Sequence, residues 1–501
     1  MMPLCSGALR ENGDRRAMST LWRTFLFLAV FWAAVSGAID PPVVHMANGI
    51  KIGEVTQHTA IVWTRLTQFP ERNVNGFAFP DLGRLEGAGA DKTLEELTGG
   101  RALEDMKGSV PGAPGWVRVL YWPEDMPEKT AETEWVPVDV TADFTRQIPL
   151  SGLRPGTQYR LRVEGKPASA SSATCSVEGR FRTAPDPAVV APVRFAVVTG
   201  QVYATRDDPE NGHKIYDVMR RLDPDFFVHT GDIEYYDQPF PYAPDQTLAR
   251  FKWNRIFAMP FQRAFHLNVS SYFIKDDHDT LRNDCWPGQT YGNLTWEQGL
   301  AIFREQVPMG EKTYRTVRWG KDLQIWMVEG RDFRSPNTMP DGPEKTIWGA
   351  EQVAWFKRTV KESDATFRVL ISPTPLVGPD RENKQDNHSN KAFAYEGGEL
   401  RRFIAGQDGM VVITGDRHWQ YVSVDDDTGL YEFSTGPSSD AHAGGWDQND
   451  VRPEHRYLNV KGGFLYVAVH REDGAGRMIL QHRSVDGDVY HEEVLTRERG
   501  V

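Results

Sequence analysis

The 501-residue sequence predicts an α/β protein with a β-rich region in front of it. From about residue 41 to residue 185, runs of alternating apolar and polar residues are separated by turn residues, as in half-buried strands. After residue 190, continuous apolar strand patterns alternate with amphipathic helix patterns, which is typical of βαβ units. A proline-rich hinge at 183–187 separates the two regions, so we expect a β domain followed by an α/β domain.

The first 38 residues have the pattern of a secretory signal peptide. Four arginines precede or begin an apolar stretch at 24–35, and small residues follow it up to Ala38. This stretch is shorter than the roughly 20 residues that span a membrane. We therefore predict cleavage near Ala38, export to the periplasm, the medium or the cell surface, and a mature chain without a stable transmembrane segment. Met18 is an alternative start, and an uncleaved anchor is the alternative to cleavage.

Residues 39–187 are predicted to form the first domain, with strands at 59–64 and 116–122. A Gly-, Ala- and charge-rich insertion at 81–115 is expected to be a surface loop with about one helical turn. The Leu-x-Pro-Gly-Thr-x-Tyr sequence that ends at Tyr159 resembles a corner of fibronectin type III sandwiches, where the tyrosine hydrogen-bonds back across the turn. This resemblance implies a fibronectin-III-like β-sandwich.

Residues 190–501 are predicted to form the second domain. A strand at 193–198, a helix near 212–222 and a strand at 225–229 make a βαβ pattern. Further strands are predicted at 271–274, 323–328, 367–371 and 409–414, helices at 352–361 and 399–404, and β-hairpins from residue 463 onward.

Three short polar motifs directly follow predicted strands, at 229–235, 276–279 and 414–418. Loops at the carboxyl ends of strands are where open α/β folds bind ligands. Glycine precedes both Asp232 and Asp416, which lets the backbone turn sharply so that both carboxylates can face one centre. We therefore expect the three loops to form one site.

The residue types in these loops suit metal ions. A carboxylate has two oxygens, so Asp232 can bridge two cations, and Asp277, Asp416 and His418 are further candidate ligands. Tyr235 would bind only a strongly Lewis-acidic ion such as ferric iron, because its pKa near 10 must be overcome. His278, flanked by acids, is suited to donate a proton to a leaving group.

The motifs together resemble the PhoD-like alkaline phosphatase family of the calcineurin-like metallophosphoesterase superfamily. The resemblance rests on Gly-Asp-x-x-Tyr at 231–235, Asp-Asp-His-Asp at 276–279, Asn-Asp at 283–284, Glu-Gly-Arg-Asp-Phe-Arg at 329–334 and Gly-Asp-x-His at 415–418. It implies a four-layer α/β/β/α metallophosphatase sandwich for the second domain.

The resemblance also implies metal-dependent hydrolysis of phosphate monoesters, diesters or both, on a small substrate. It implies two or more metal ions, calcium or iron, with manganese or zinc as alternatives. The implied roles are general acid for His278, bridging ligand for Asp232, and ligands for Tyr235, Asp277, Asp416 and His418. A non-catalytic, calcium-binding exported protein on the same fold is the alternative.

Other polar residues are candidates for binding the substrate. Arg331 and Arg334 can bind a phosphoryl group by paired hydrogen bonds, or one of them only braces the acidic centre. The polar loop at 380–390 offers His388 and Asp386 for substrate or metal. The loop at 441–446 is either a lid or substrate edge, or an ordinary surface loop.

The chain departs from the family pattern at its first motif. The family has Ser-Cys-Gln there, with the cysteine as an iron ligand, and this chain has Thr199-Gly200-Gln201. Glycine has no side chain to ligate a metal, so the iron site is one ligand poorer. Lys275 also replaces the tryptophan that usually precedes Asp-Asp-His.

Charge and cysteine content limit other functions. The formal net charge of −12 argues against a nucleic-acid partner, which would need a basic face. Cys175 and Cys285 lie in different predicted domains, so we expect no disulfide between them. The sequence makes no prediction of oligomeric state.

Overall fold

The computed structural model describes residues 43–498, and the predicted signal peptide lies outside the described residues. No helix in this range is long and apolar enough to cross a membrane. The N-terminal part of this range contains β1 (Ile50–Gly53), β2 (Ala60–Arg65), α1 (Leu94–Thr98), β3 (Trp116–Pro123), β4 (Ala131–Glu132), β5 (Val136–Pro137), β6 (Thr145–Leu150), β7 (Gln158–Lys166) and β8 (Cys175–Arg182).

The remainder alternates strands and helices before it ends in β-hairpins. Its first half contains β9 (Val193–Val198), α2 (Lys214–Leu222), β10 (Phe226–His229), α3 (Gln246–Phe257), α4 (Pro260–His266), β11 (Ser270–Phe273), β12 (Thr290–Tyr291), β13 (Leu294–Thr295), α5 (Trp296–Gln306), β14 (Arg315–Trp319) and β15 (Leu323–Met327). Its second half contains α6 (Gly349–Glu362), β16 (Phe367–Ser372), α7 (Ala394–Ala405), β17 (Met410–Thr414), β18 (Gln420–Val424), β19 (Tyr431–Thr435), β20 (His455–Asn459), β21 (Phe464–Glu472), β22 (Ala475–Arg483) and β23 (Val489–Arg497).

Two large sheets face each other. One has the strand order β23-β22-β21-β9-β10-β11-β1-β2-β6 and the other β14-β15-β16-β17-β19-β18-β20. Strands β9, β10 and β11 pair in parallel, as do β15, β16 and β17. The carboxyl ends of each parallel set therefore lie at one edge of its sheet, as expected for a ligand-binding edge.

Apolar side chains on alternating faces of the strands make the four layers. On β9, Phe195 and Val197 belong to the core between the sheets, whereas Ala196 and Val198 belong to an outer cluster with residues of α2 and α4. Residues of α6 and α7 cover the outer face of the other sheet in the same way. This period-two burial confirms the predicted α/β/β/α sandwich.

The N-terminal region is a β-sandwich. Strands β1, β2 and β6 share a core with β3, β7 and β8, which belong to a separate sheet. The backbone amide of Arg154 donates to the Tyr159 hydroxyl at 2.9 Å, which confirms the predicted tyrosine contact across the corner. The predicted helical turn in the 81–115 insertion is α1.

The β-sandwich shares a sheet with the α/β region, because β1 pairs in parallel with β11. Strands β1, β2 and β6 thus form the edge of the nine-stranded sheet as well as one half of the sandwich. The sequence did not indicate this pairing. The predicted division at 39–187 and 190–501 stays a prediction.

Candidate active site

The three predicted motifs follow β10, β11 and β17, and their loops meet. Asp232 and Asp416 both have positive φ angles, 57° and 61°, so each backbone turns directly at its carboxylate. A Cβ atom at Gly231 would lie 2.6 Å from the Asp276 Cβ, so glycine lets the loops after β10 and β11 touch. The loop backbones therefore bring residues far apart in sequence to one place.

Asp232 belongs to two groups of potential ligands. In one, Asp232, Asp277 and His278 place ligand atoms within 4.8 Å of one another. In the other, Asp232, Asp276 and Asp416 do the same. A carboxylate shared by two such groups fits the bridging role that the sequence suggests for Asp232.

The electrostatics of this cluster favour a cation. Burial, together with the charges of Asp277, Asp279 and Asp416, raises the pKa of Asp232 well above its usual value. Burial also raises the pKa of Asp416 to about 6. Within residues 43–498, the Asp232 Oδ1 and Asp276 Oδ2 atoms are buried without a hydrogen-bond partner. Such atoms are costly unless an ion or water binds them, so the donor set fits metal ions.

Tyr235 and His418 extend the cluster on one side. The Tyr235 hydroxyl donates to Asp232 Oδ2 at 2.9 Å and lies 3.2 Å from His418 Nε2. Burial and the Asp232 charge raise the pKa of Tyr235, and burial lowers that of His418. Burial therefore favours the neutral forms of both the phenol and the imidazole.

His278 is oriented by Asp237, which the sequence reasoning did not identify. The His278 Nδ1 atom lies 2.6 Å from Asp237 Oδ1, and the other Asp237 oxygen accepts from the Asn283 backbone at 2.8 Å. Burial opposes the charged imidazolium, but the carboxylates of Asp237, Asp277 and Asp232 outweigh burial and raise the pKa of His278. A charged His278 has a proton to donate.

Asp279 connects the loops after β10 and β11, and both of its carboxylate oxygens accept hydrogen bonds. Its carboxylate accepts from the backbone amides of Ile233 at 3.0 Å and Asp276 at 2.7 Å. It thereby fixes the loop after β10 to the loop after β11. The last acid of the Asp-Asp-His-Asp motif is a structural link.

Arg331 contacts the carboxylates of Asp276 and Asp277 and is completely buried. Its Nε donates to Asp276 Oδ1 at 2.6 Å, and a second nitrogen lies 3.8 Å from Asp277 Oδ2. Although burial opposes ionisation, Arg331 and His278 hold the pKa of Asp277 below its usual range. These contacts favour bracing of the acidic centre over a phosphoryl-binding role for Arg331.

Arg334 and His388 contact other parts of the loop system. Arg334 donates to the Asp386 carbonyl at 2.6 Å, and His388 Nε2 lies 2.8 Å from Glu396 Oε2. Among the hydrogen bonds and ion pairs of residues 43–498, none joins His388 to the carboxylate cluster. Substrate binding by Arg334 and His388 stays a prediction.

The loop at 380–390 takes part in ion pairs near the site, and the sequence reasoning missed its Lys384. Lys384 Nζ lies 2.7 Å from Asp284 Oδ1 and 3.5 Å from Asp386 Oδ2. Arg417 pairs with Asp416 and lies 3.1 Å from Asp380 and 3.6 Å from Asp386. The density of polar residues in this loop was the available signal, but their partners depend on the tertiary structure.

His442, in the predicted loop at 441–446, lies next to two residues of the candidate site. The His442 ring centroid is 4.0 Å from that of His418 and 5.3 Å from that of Tyr235.

Cys175 and Cys285 are free, as expected.

Comparisons with known proteins agree with this geometry. Residues 195–488 match the family model of PhoD-like phosphatase, and residues 34–185 match that of the PhoD-like phosphatase N-terminal domain. A solved structure of PhoD is similar with a TM-score of 0.68 and 16% identity over 91% of this chain and 90% of that one. The purple acid phosphatase PPD1 from yellow lupin (Lupinus luteus) seeds is similar with a TM-score of 0.58 and 12% identity over 90% of this chain and 74% of that one. No curated protein sequence matched the chain.

Proposed function

The chain belongs to the PhoD-like phosphatase family, and from this premise we propose that it hydrolyses small phosphate esters at the Asp232 cluster. Family membership and the phosphatase fold support a metal-dependent phosphoester hydrolase. The observation that carries the assignment to this site is Asp232, which is buried, is shared by two ligand groups and has an oxygen without a partner in the described chain.

The residues that would hold metal ions surround Asp232. Asp277 shares one group of close ligand atoms with Asp232, and Asp276 and Asp416 share the other. The Tyr235 hydroxyl donates to Asp232 and lies beside His418. Bound metal ions would offset the charge of the phosphate and lower the pKa of water. We propose two or more ions, calcium or iron, with manganese or zinc as alternatives.

The side chains themselves perform the proton transfer and the positioning. Asp237 holds the His278 ring by its Nδ1 atom, which leaves Nε2 as the nitrogen that carries a proton to the leaving oxygen. Asp277 is fixed by the backbone amides of His278 and Asp284, at 2.9 and 2.5 Å. The acid and its neighbouring ligand are thus held in one rigid loop.

Metal content and turnover of the mature protein, purified without chelators, test this function. We expect stoichiometric metal by elemental analysis and hydrolysis of p-nitrophenyl phosphate, its bis-ester, or both. Asp232→Asn should abolish both metal binding and hydrolysis. Stoichiometric metal without turnover of either ester would instead support the non-catalytic, calcium-binding alternative.

The identity of the metal beside Tyr235 has an optical test. A ferric ion bound by tyrosinate would give a purple charge-transfer band, which Tyr235→Phe should remove. Retained hydrolysis without such a band would indicate calcium, manganese or zinc.

Export of the mature chain is part of the proposal. The signal-peptide pattern of residues 1–38 supports it. The test is N-terminal sequencing of the secreted or periplasmic fraction, in which we expect a mature chain that begins near residue 39. Recovery of an uncleaved chain from membranes would contradict cleavage.

A further inference from the structure

We propose that His442 is a metal ligand, through Nε2, at the Tyr235 and His418 side of the centre. This inference rests on the proposed metal centre and adds a residue that neither the motifs nor the carboxylate clusters include. It assigns a function to the loop at 441–446, which is otherwise without one.

The first observation is that three metal-competent groups converge beside Gly200. A Cβ atom placed on Gly200 would lie 3.3 Å from the Tyr235 hydroxyl, 3.4 Å from His442 Cε1 and 3.5 Å from His418 Nε2. Gly200 has a φ of 52°, which glycine adopts without strain. The missing side chain leaves room among a phenol and two imidazoles.

The second observation is the orientation of the His442 ring. Its Nδ1 atom lies 3.3 Å from the Gly200 carbonyl oxygen. A carbonyl can only accept, so Nδ1 carries the proton and Nε2 has the free lone pair. Histidines that bind metals typically donate their other ring N–H to a backbone carbonyl or carboxylate in this way.

The third observation is the set of ligands already present. Tyr235 Oη and Asp232 Oδ2 are 2.9 Å apart, and His418 Nε2 lies 3.9 Å from the same Asp232 oxygen. These three supply two oxygens and one nitrogen, and zinc is bound by four donors, one of which is water or substrate in a catalytic site. A second imidazole from His442 would supply the fourth protein ligand.

Cobalt(II) binding to the metal-free mature protein tests the proposal. Cobalt(II) has visible absorption bands that change with its ligands, and binding can be followed without any enzymatic activity. We expect His442→Ala to weaken binding of one cobalt ion by about 10-fold or more and to shift its visible spectrum. The matched control is His58→Ala, because His58 also places Nδ1 on a carbonyl, that of Leu153 at 3.0 Å, in the N-terminal sandwich.

A second variant separates ligation from packing. Asparagine keeps an amide N–H near the position of Nδ1 and lacks Nε2, so His442→Asn can retain the bond to the Gly200 carbonyl. We expect it to bind cobalt as weakly as His442→Ala, with a circular dichroism spectrum like that of the wild type. Wild-type affinity and spectrum in His442→Asn would overturn the proposal. Wild-type protein that binds no metal would overturn the proposed function itself, whereas metal binding unaffected by His442 substitution would overturn only this inference.

Discussion

At the scale of single residues, His278 and Arg331 differ in what their positive charges can do at the candidate site. Both are cations among carboxylates, but His278 has a proton that can be transferred and a carboxylate, Asp237, that orients it. Arg331 keeps its charge at any relevant pH and is fully buried against Asp276. In the proposed mechanism, proton donation and charge compensation therefore belong to different residues.

His278→Asn is expected to reduce kcat about 10²- to 10⁴-fold, the usual range for loss of a general acid. The loss should be larger for an alkyl phosphate than for p-nitrophenyl phosphate, because a poor leaving group needs the proton more. Steady-state kinetics on both esters, with metal content measured in parallel, check this. Asp237→Asn should show a smaller loss of the same kind. An equal loss on both esters would contradict the assignment of His278 as the acid.

Arg331→Met is expected to lower the free energy of unfolding by about 3–5 kcal/mol, because it leaves buried carboxylates without their cation. Added metal should recover part of this loss, since bound cations compensate the same charges. Denaturant unfolding with and without metal measures both effects. A raised KM with unchanged stability would show that Arg331 binds the substrate instead.

The sequence predicted Asp232, Asp277, His278, Asp416 and His418 because each lies just after a strand pattern, where backbone topology decides the position. Lys384 and His442 could not be assigned in this way. Their contacts depend on partners in other loops, such as Asp284, which is 100 residues away from Lys384. Local pattern does not contain that information.

At the scale of secondary-structure elements, the contact between the loops after β10 and β11 determines the geometry of the site. Gly231 approaches Asp276 closely, and Asp279 accepts amide hydrogens from both loops. The close approach needs a residue without a side chain at position 231. The glycine in this motif is therefore required for packing as well as for turning.

Gly231→Ala is expected to separate the two loops and to reduce metal binding. The matched control is Gly474→Ala in the turn between β21 and β22, where φ is also positive but nothing lies within 4 Å of a new Cβ. Gly474→Ala should cost about 1–2 kcal/mol from backbone strain alone and leave metal binding unchanged. Elemental analysis and thermal unfolding of both variants test this. Normal metal content in Gly231→Ala would contradict the steric argument.

Glu396 in the first turn of α7 is expected to stabilise the fold in a pH-dependent way. Burial opposes ionisation, but His388, the Ile347 amide and Thr346 outweigh it and lower the pKa of Glu396. A carboxyl with a lowered pKa stabilises the fold at neutral pH, and this contribution is lost as pH falls below about 4.3. The stability difference between wild type and Glu396→Gln should therefore shrink on acidification. The control is Glu399→Gln, which removes a half-exposed carboxylate of α7 that pairs with Arg402 at 2.9 Å and should cost less than about 1 kcal/mol of stability.

The helix predictions found α2, α6 and α7 and missed α3, α4 and α5. Helix α2 has a clear stripe that includes Ile215 and Met219, and it was predicted. Helix α3 buries even Lys252 and Arg255, which donate to the carbonyls of Pro241 and Phe240 at 3.0 and 2.7 Å. Its polar residues break the sequence pattern, and only tertiary contacts explain their burial.

At the scale of the whole molecule, a cluster of carboxylates lies at one edge of two sheets that share a core. The core between the sheets includes Phe195, Val228, Ile325 and Ile413, and it fixes the strand ends from which the loops of the candidate site start. Parallel pairing of β1 with β11 adds the N-terminal sandwich to the same sheet. The rigid core allows buried carboxylates to be held close together despite their repulsion.

The net charge of −12 has a different meaning once these positions are known. Asp232, Asp276, Asp277 and Asp416 are gathered at one edge, where bound cations would offset their charge. The permanent cations Arg331 and Arg417 offset it in part. An acidic chain and an anionic substrate are therefore compatible at this one place.

Removal of metal is expected to destabilise the whole protein, because the carboxylates would then repel one another inside a rigid frame. A ligand that binds only the folded state stabilises it by about 2.7 kcal/mol when present at 100 times its Kd. Thermal unfolding of the mature chain should therefore begin at a lower temperature after chelation and return to its original temperature when metal is added back. Asp232→Asn, which lacks the bridging carboxylate, should respond far less to either treatment. An unchanged unfolding temperature after complete chelation, verified by elemental analysis, would show that the carboxylate cluster is satisfied without metal.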